Sequence, residues 1–168
     1  MLAMTDTDLL FTPAVQAAAL IRAKKLSPVE YLDAVLKAAE RANPTINCFR
    51  EVMVDQARRD AKKAEEAVTR GEALGPLHGV PISVKDLVDV EGVPTRHGSA
   101  IFEGNGPAAA DDLLVQRLRK AGAVIFANML RTRLRNASSK PSVGSGASSF
   151  GAMWSNTSTT SSSRVVEW

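Results

Sequence analysis

Apolar positions along the first 128 residues follow helical spacing in some stretches and near-continuous runs in others. Phe11-Thr12-Pro13 predicts a helix start, with Thr12 as N-cap and Pro13 at the first helical position, where its missing N–H costs nothing. That helix is expected to run to about Lys25. Ser27-Pro28-Val29-Glu30 then sets a capping box, ahead of a stripe of Val29, Leu32, Val35, Leu36 and Ala39 at helical spacing. The second helix is expected to end before Asn43-Pro44, because a residue preceding proline is pushed out of helical geometry. Ile46 to Val54 predicts a short strand, and Asp55 to Arg70 a charged, Ala-rich surface helix stopped by Gly71.

Gly75-Pro76-Leu77-His78-Gly79 predicts a rigid turn leading into Val80–Val84, an apolar run long enough for a strand buried on both faces. Asp111 or Asp112 should cap a further helix through Leu113, Leu114, Val115 and Leu118, whose end carries Arg117, Arg119 and Lys120 to favour the C-terminal dipole. Ala121-Gly122 stops it, and Ala123–Ala127 is a second buried strand. The two strands and the helix between them form a β-α-β crossover with a long loop, so the expected fold class is α/β.

Composition divides the chain in two. Residues 1–128 carry sixteen Lys and Arg against seventeen Asp and Glu, net −1, whereas residues 129–168 carry five against one, net +4. Only three serines precede residue 129 and eleven follow it. This predicts a globular segment 1–128 and a disordered Ser-rich basic tail 129–168 that has little apolar surface to bury. Arg131, Arg133, Arg135 and Lys140 could meet phosphates, yet no aromatic stacking pattern accompanies them, so a solvated tail rather than nucleic-acid binding is the expectation. The single cysteine, Cys48, excludes a disulfide scaffold and a four-ligand zinc ribbon, and fits a reducing cytoplasmic setting. Neither a signal core nor an apolar run of membrane-spanning length stands in the sequence.

The candidate chemistry centres on Lys85, the first charge after Val80-Pro81-Ile82-Ser83-Val84 and the last position of the expected strand. Ligands of open α/β sheets collect at the carboxyl ends of strands. An amine taken out of water there gives up its proton more readily and can act as a general base. The ordinary alternative is a solvated lysine paired with adjacent Asp86. Ser83, two residues earlier, should share the strand face of Lys85. His78 and His97 sit in Gly/Pro turns with no ligand spacing, so each reads as a loop side chain. Cys48 reads as a buried structural thiol, and Asp86 either orients Lys85 and its loop or is a plain turn acid.

The stretch Gly75–Asp86, followed by Val90-Glu91-Gly92-Val93-Pro94-Thr95, Gly98-Ser99, Asp111-Asp112 and Arg117–Ile125, closely resembles the amidase signature family over about residues 5–128. The segment SPVEYLDAVL, residues 27–36, is similar to the usual opening of that family. The resemblance implies the N-terminal part of an amidase-signature mixed-sheet fold with a helical N-terminus. It also implies a Ser-cis-Ser-Lys hydrolase of carboxamide C–N bonds that needs no cofactor or metal. Lys85 then takes a proton through a bridging serine, and a second serine attacks the amide carbon.

Past Asn128 the chain departs from the family pattern. Thr160-Ser161-Ser162-Ser163-Arg164 lies where the bridging-serine loop should fall, and Ser161 is the candidate for that role, although it lacks the flanking glycines of the family loop. The nucleophile's expected position lies beyond Trp168. We therefore expect a truncated or out-of-register product that is inactive by itself. Small carboxamides are the expected substrates. A glutaminase subunit of a tRNA-dependent amidotransferase, with partner subunits, is an enzymatic alternative, and a non-catalytic interaction module is another. Oligomeric state, a homo-oligomer included, stays open.

Overall fold

A computed structural model describes residues 5–130 of the chain. In order, these form α1 (Asp6–Leu10), α2 (Ala14–Arg22), α3 (Pro28–Ile46), β1 (Phe49–Val52), α4 (Val54–Arg70), β2 (Pro81–Lys85), a 3₁₀ turn (Ala100–Phe102), α5 (Leu113–Lys120) and β3 (Val124–Met129). The strands make one mixed sheet of order β1-β3-β2. β1 pairs antiparallel to β3 and β2 pairs parallel to it, with α5 carrying the crossover, so the expected α/β class and β-α-β unit are both present.

Most helix ends follow their sequence signals. Ser27 caps α3 by accepting from the Val29 and Glu30 N–H groups at 3.1 and 3.3 Å. Its hydroxyl also donates to Glu65 on α4, which stitches two helices at one cap. Gly71 ends α4 at φ 70°, a left-handed conformation that costs a glycine little. Asp112, rather than Asp111, caps α5 through the Leu114 N–H at 2.9 Å.

Three differences have local causes. An unexpected first helix, α1, rests on a Thr5/Asp8 capping box, and Thr12 donates to the Asp8 carbonyl at 2.7 Å instead of capping α2. The second difference is that α3 does not stop before Pro44 but runs to Ile46. A proline so near the helix end forfeits one backbone bond, and Asn43 compensates by clamping both main-chain groups of Phe49. The Asn43 amide donates to the Phe49 carbonyl at 3.1 Å and its oxygen accepts the Phe49 N–H at 2.8 Å. Third, β2 is not buried on both faces: Pro81, Ile82 and Ser83 are half-buried, Val84 is buried and Lys85 is exposed. The cause is its place at the edge of the described sheet, where the missing Pro81 N–H is also tolerated. Central β3 has the buried residues instead.

Two apolar clusters hold this scaffold. One joins Leu9, Ala17, Ala18, Ile21, Leu26, Tyr31 and Ala34 of the helical layer to Val68 and Val80. The other places Val84, Val90, Val93, Val115 and Ile125 beneath the loop that follows β2, and so fixes the strand end on which Lys85 sits.

Candidate active site

Lys85 closes β2, opposite Met129 in the parallel register, and its side chain is exposed. A cleft of about 270 Å³ opens there, lined by Lys85, Asp86, Leu87, His97, Gly98 and Met129. This is the carboxyl end of a parallel strand pair, where α/β sheets leave room for ligands. Among the described residues no hydrogen bond or ion pair engages the Lys85 ammonium. The shielding from water expected of a general base is likewise not supplied by the described residues.

Asp86 does not serve as the partner of Lys85. Its side chain is 2% exposed and turned into the protein. One oxygen accepts the Arg96 N–H at 2.8 Å, the other the Gly98 N–H at 3.0 Å, and the Asn128 amide adds a longer donation at 3.4 Å. The Asp86 main chain donates to the Met129 carbonyl at 2.8 Å, so the residue is pinned to β3 as well. An ionised carboxylate can be buried when it is met by several N–H donors, and two backbone amides and a side-chain amide do that here. The solvated Lys85–Asp86 pair is therefore replaced by a carboxylate that organises the loop, while the lysine stays free of it.

The turn held by Asp86 is unusual in its dihedrals. His97 and Gly98 both have positive φ, 53° and 64°. Glycine adopts that conformation readily, whereas histidine pays a modest steric cost. The His97 ring packs edge-on to Phe102 with centroids 5.0 Å apart. Arg96 adds an ion pair to Glu51 on β1 at 2.9 Å and a longer one to Glu103 at 3.4 Å, so the turn is tied to the sheet on a second side. Ser83 shares this neighbourhood: its hydroxyl donates to the Met129 sulfur at 2.8 Å, and Met129 lines the cleft. Sequence reasoning missed that His97 lines the same cleft as Lys85. The available signals were weak, a histidine followed by glycine and an acid directly after the candidate lysine.

The remaining candidates have structural work. His78 pairs through Nε2 with the Ala64 carbonyl at 2.9 Å, fastening the Gly75–Gly79 turn to α4. It lines a separate cleft of about 260 Å³ with Asp60, Lys63 and Arg119. The charges there are mutually paired, Arg119 with Asp60 at 3.2 Å and with Asp111 at 2.8 Å, and they lock α4 to α5. Cys48 is buried, and burial pushes its thiol above the ordinary value, which suits an inert side chain. Among the described residues no group of three or more His, Cys, Asp or Glu side chains could hold a metal ion, and no helix is long and apolar enough to cross a membrane. Ser161, Arg131, Arg133, Arg135, Lys140 and the expected disordered tail lie outside the described residues.

Comparison with known proteins identifies the family. The profile of the family described as Amidase matches residues 30–149, running past Asn128 into the Ser-rich segment. An acylamidase of Rhodococcus erythropolis is 37% identical over 123 residues, which are 73% of this chain and 26% of that protein. An amidase of Pseudomonas putida is 44% identical over 111 residues, 66% of this chain and 23% of that protein. Among solved structures, an inhibitor-bound vestigial protein complex tied to the origins of an s-triazine catabolic enzyme superposes with a TM-score of 0.69 at 36% identity. That match covers 71% of this chain and 26% of the other. The chain thus spans about a quarter of the length of these relatives.

Proposed function

This chain belongs to the amidase family, and from that premise we propose that it carries the base of a serine hydrolase acting on the C–N bond of carboxamides. Lys85 is that base. Its proton uptake runs through the hydroxyl of a bridging serine, for which Ser161 is the candidate. A second serine attacks the amide carbon. The C–N bond then breaks, ammonia leaves with a proton, and water releases the acid and regenerates the hydroxyl. General-base assistance of this kind contributes about 10²–10⁴-fold to rate.

A single observation carries this reading. Lys85 stands at the carboxyl end of a parallel strand, on a cleft, while the carboxylate beside it is committed to three other donors. A lysine present for stability would be expected to hold that carboxylate. The experiment is an ammonia assay on aliphatic and aryl carboxamides, using both the 168-residue polypeptide and the longest product encoded across and beyond codon 128. The proposal expects ammonia and acid in equal amounts from the longer product and none from the 168-residue chain. If the longer product folds and releases no ammonia from any of these amides, the proposal is wrong.

A further inference from the structure

Asp86 is the most constrained polar residue near the cleft. We propose that it is a positioning residue, whose carboxylate fixes the Arg96-His97-Gly98 turn as one wall of the cleft in which Lys85 stands. This rests on the reading of Lys85 as the base.

The geometry carries the inference in three ways. The two carboxylate oxygens bracket the turn, one on the N–H before His97 and the other on the N–H after it, so the positive φ of His97 is held from both sides. Residue 86 is itself anchored, because its main chain is bonded to Met129, which also lines the cleft. The same two amides keep the carboxylate occupied, so it does not form an ion pair with the neighbouring ammonium. An Asp86 released from the turn would be the nearest acid in sequence to Lys85.

The unsatisfied polar atoms point the same way. Among the described residues, the buried side-chain atoms without a hydrogen bond are Thr95 Oγ1, Arg96 Nε and Asn128 Oδ1. Two belong to the turn or the residue before it, and the third to the amide that donates to Asp86. Arg96 Nε has the Glu103 carboxylate 3.4 Å away, which leaves Thr95 Oγ1 and Asn128 Oδ1 as the buried polar atoms without a protein partner beside this turn, a place where such atoms are uncommon.

The test uses the full 168-residue chain with Asp86→Ala and Asp86→Asn. Amide hydrogen exchange reports on the turn, and acetylation of Lys85 against pH, read by peptide mass spectrometry with the other lysines as internal standards, reports on the cleft. We expect the Arg96 and Gly98 amides to exchange at least tenfold faster in Asp86→Ala. The Lys85 acetylation profile should change in rate by about threefold or more relative to the other lysines. Asp86→Asn retains an acceptor oxygen and should fall between Ala and wild type in both readouts. If exchange accelerates while the Lys85 profile stays as in wild type, the residue is merely structural and the proposal is overturned. Should Asp86→Ala not fold, Asp86→Asn decides: wild-type values in both readouts overturn the proposal. Neither readout depends on turnover, so a failure of Lys85 as base would appear separately, in the ammonia assay.

Discussion

Ser27 and Asp86 are both buried polar residues at the end of an element, and their surroundings differ in kind. Ser27 accepts from neighbours two and three residues away and makes one distant bond, to Glu65 on α4, within a helical layer whose other buried members are apolar. Asp86 finds its donors ten, twelve and forty-two residues away, in a region with consecutive left-handed residues and unpartnered polar atoms. The helical layer is built for packing. The helical layer has left-handed residues of its own, Lys24 and Asn47, at helix ends, whereas the strand-end turn joins two successive left-handed residues to a buried carboxylate, a combination that packing alone does not call for.

The contrast can be broken by substitution, beginning with the core. Ile21 is fully buried on α2 within the helical cluster, and Ile21→Ala should cost about 2–5 kcal/mol in urea unfolding by lost transfer energy and a residual cavity. A loss below about 1 kcal/mol would mean that the helical layer is not the packing unit described. Ser27→Ala removes a cap with two N–H partners and should cost about 1 kcal/mol, with the first-turn amides of α3 exchanging faster in proportion. Lys85→Ala should move the unfolding midpoint by no more than an ordinary surface change, about 0.5 kcal/mol either way. A larger loss would assign the lysine a structural partner and remove the contrast between the two regions.

A pH effect is the smallest expected. Burial raises the Cys48 thiol, so the unfolded chain ionises first as pH rises past about 8.5 and folding stability contributed by this group declines above that value. Below it, both states hold the proton and the group contributes no slope. Urea midpoints at pH 7 and 9.5 for wild type and Cys48→Ala check this, together with thiol labelling that should be slow until the protein unfolds. Rapid labelling of the native protein would contradict the burial.

How much of this was legible in the sequence follows the same division. Ser27, Gly71, Asp112 and Gly122 announce local events, completed within a few residues, and the structure puts them where the pattern did. Lys85 was legible as the charge closing an apolar run. Pro44 misled because the rule against helical geometry before proline is local, whereas the clamp from Asn43 to Phe49 that offsets it involves the next element. The Thr5/Asp8 box is as local as the others, but Thr12-Pro13 a few residues on is the stronger-looking start signal and hides it. The exposure of β2 could not be read from its own residues, since edge or centre is decided by which strand pairs where. The duty of Asp86 was hidden for a related reason: its donors lie across a loop, and nothing in a charged residue following a lysine tells which backbone amides will fold back on it.

The central claim is that the amine of Lys85 is kept for amide chemistry. Its most direct test is the ammonia-release rate on a carboxamide for the longest product encoded by the gene, measured beside its Lys85→Ala variant with both proteins confirmed folded. Removal of a catalytic base in a coupled serine–lysine unit should lower kcat by about 10³-fold or more. Equal rates in the two proteins would contradict the account, because the hydroxyl would then be activated by some other group.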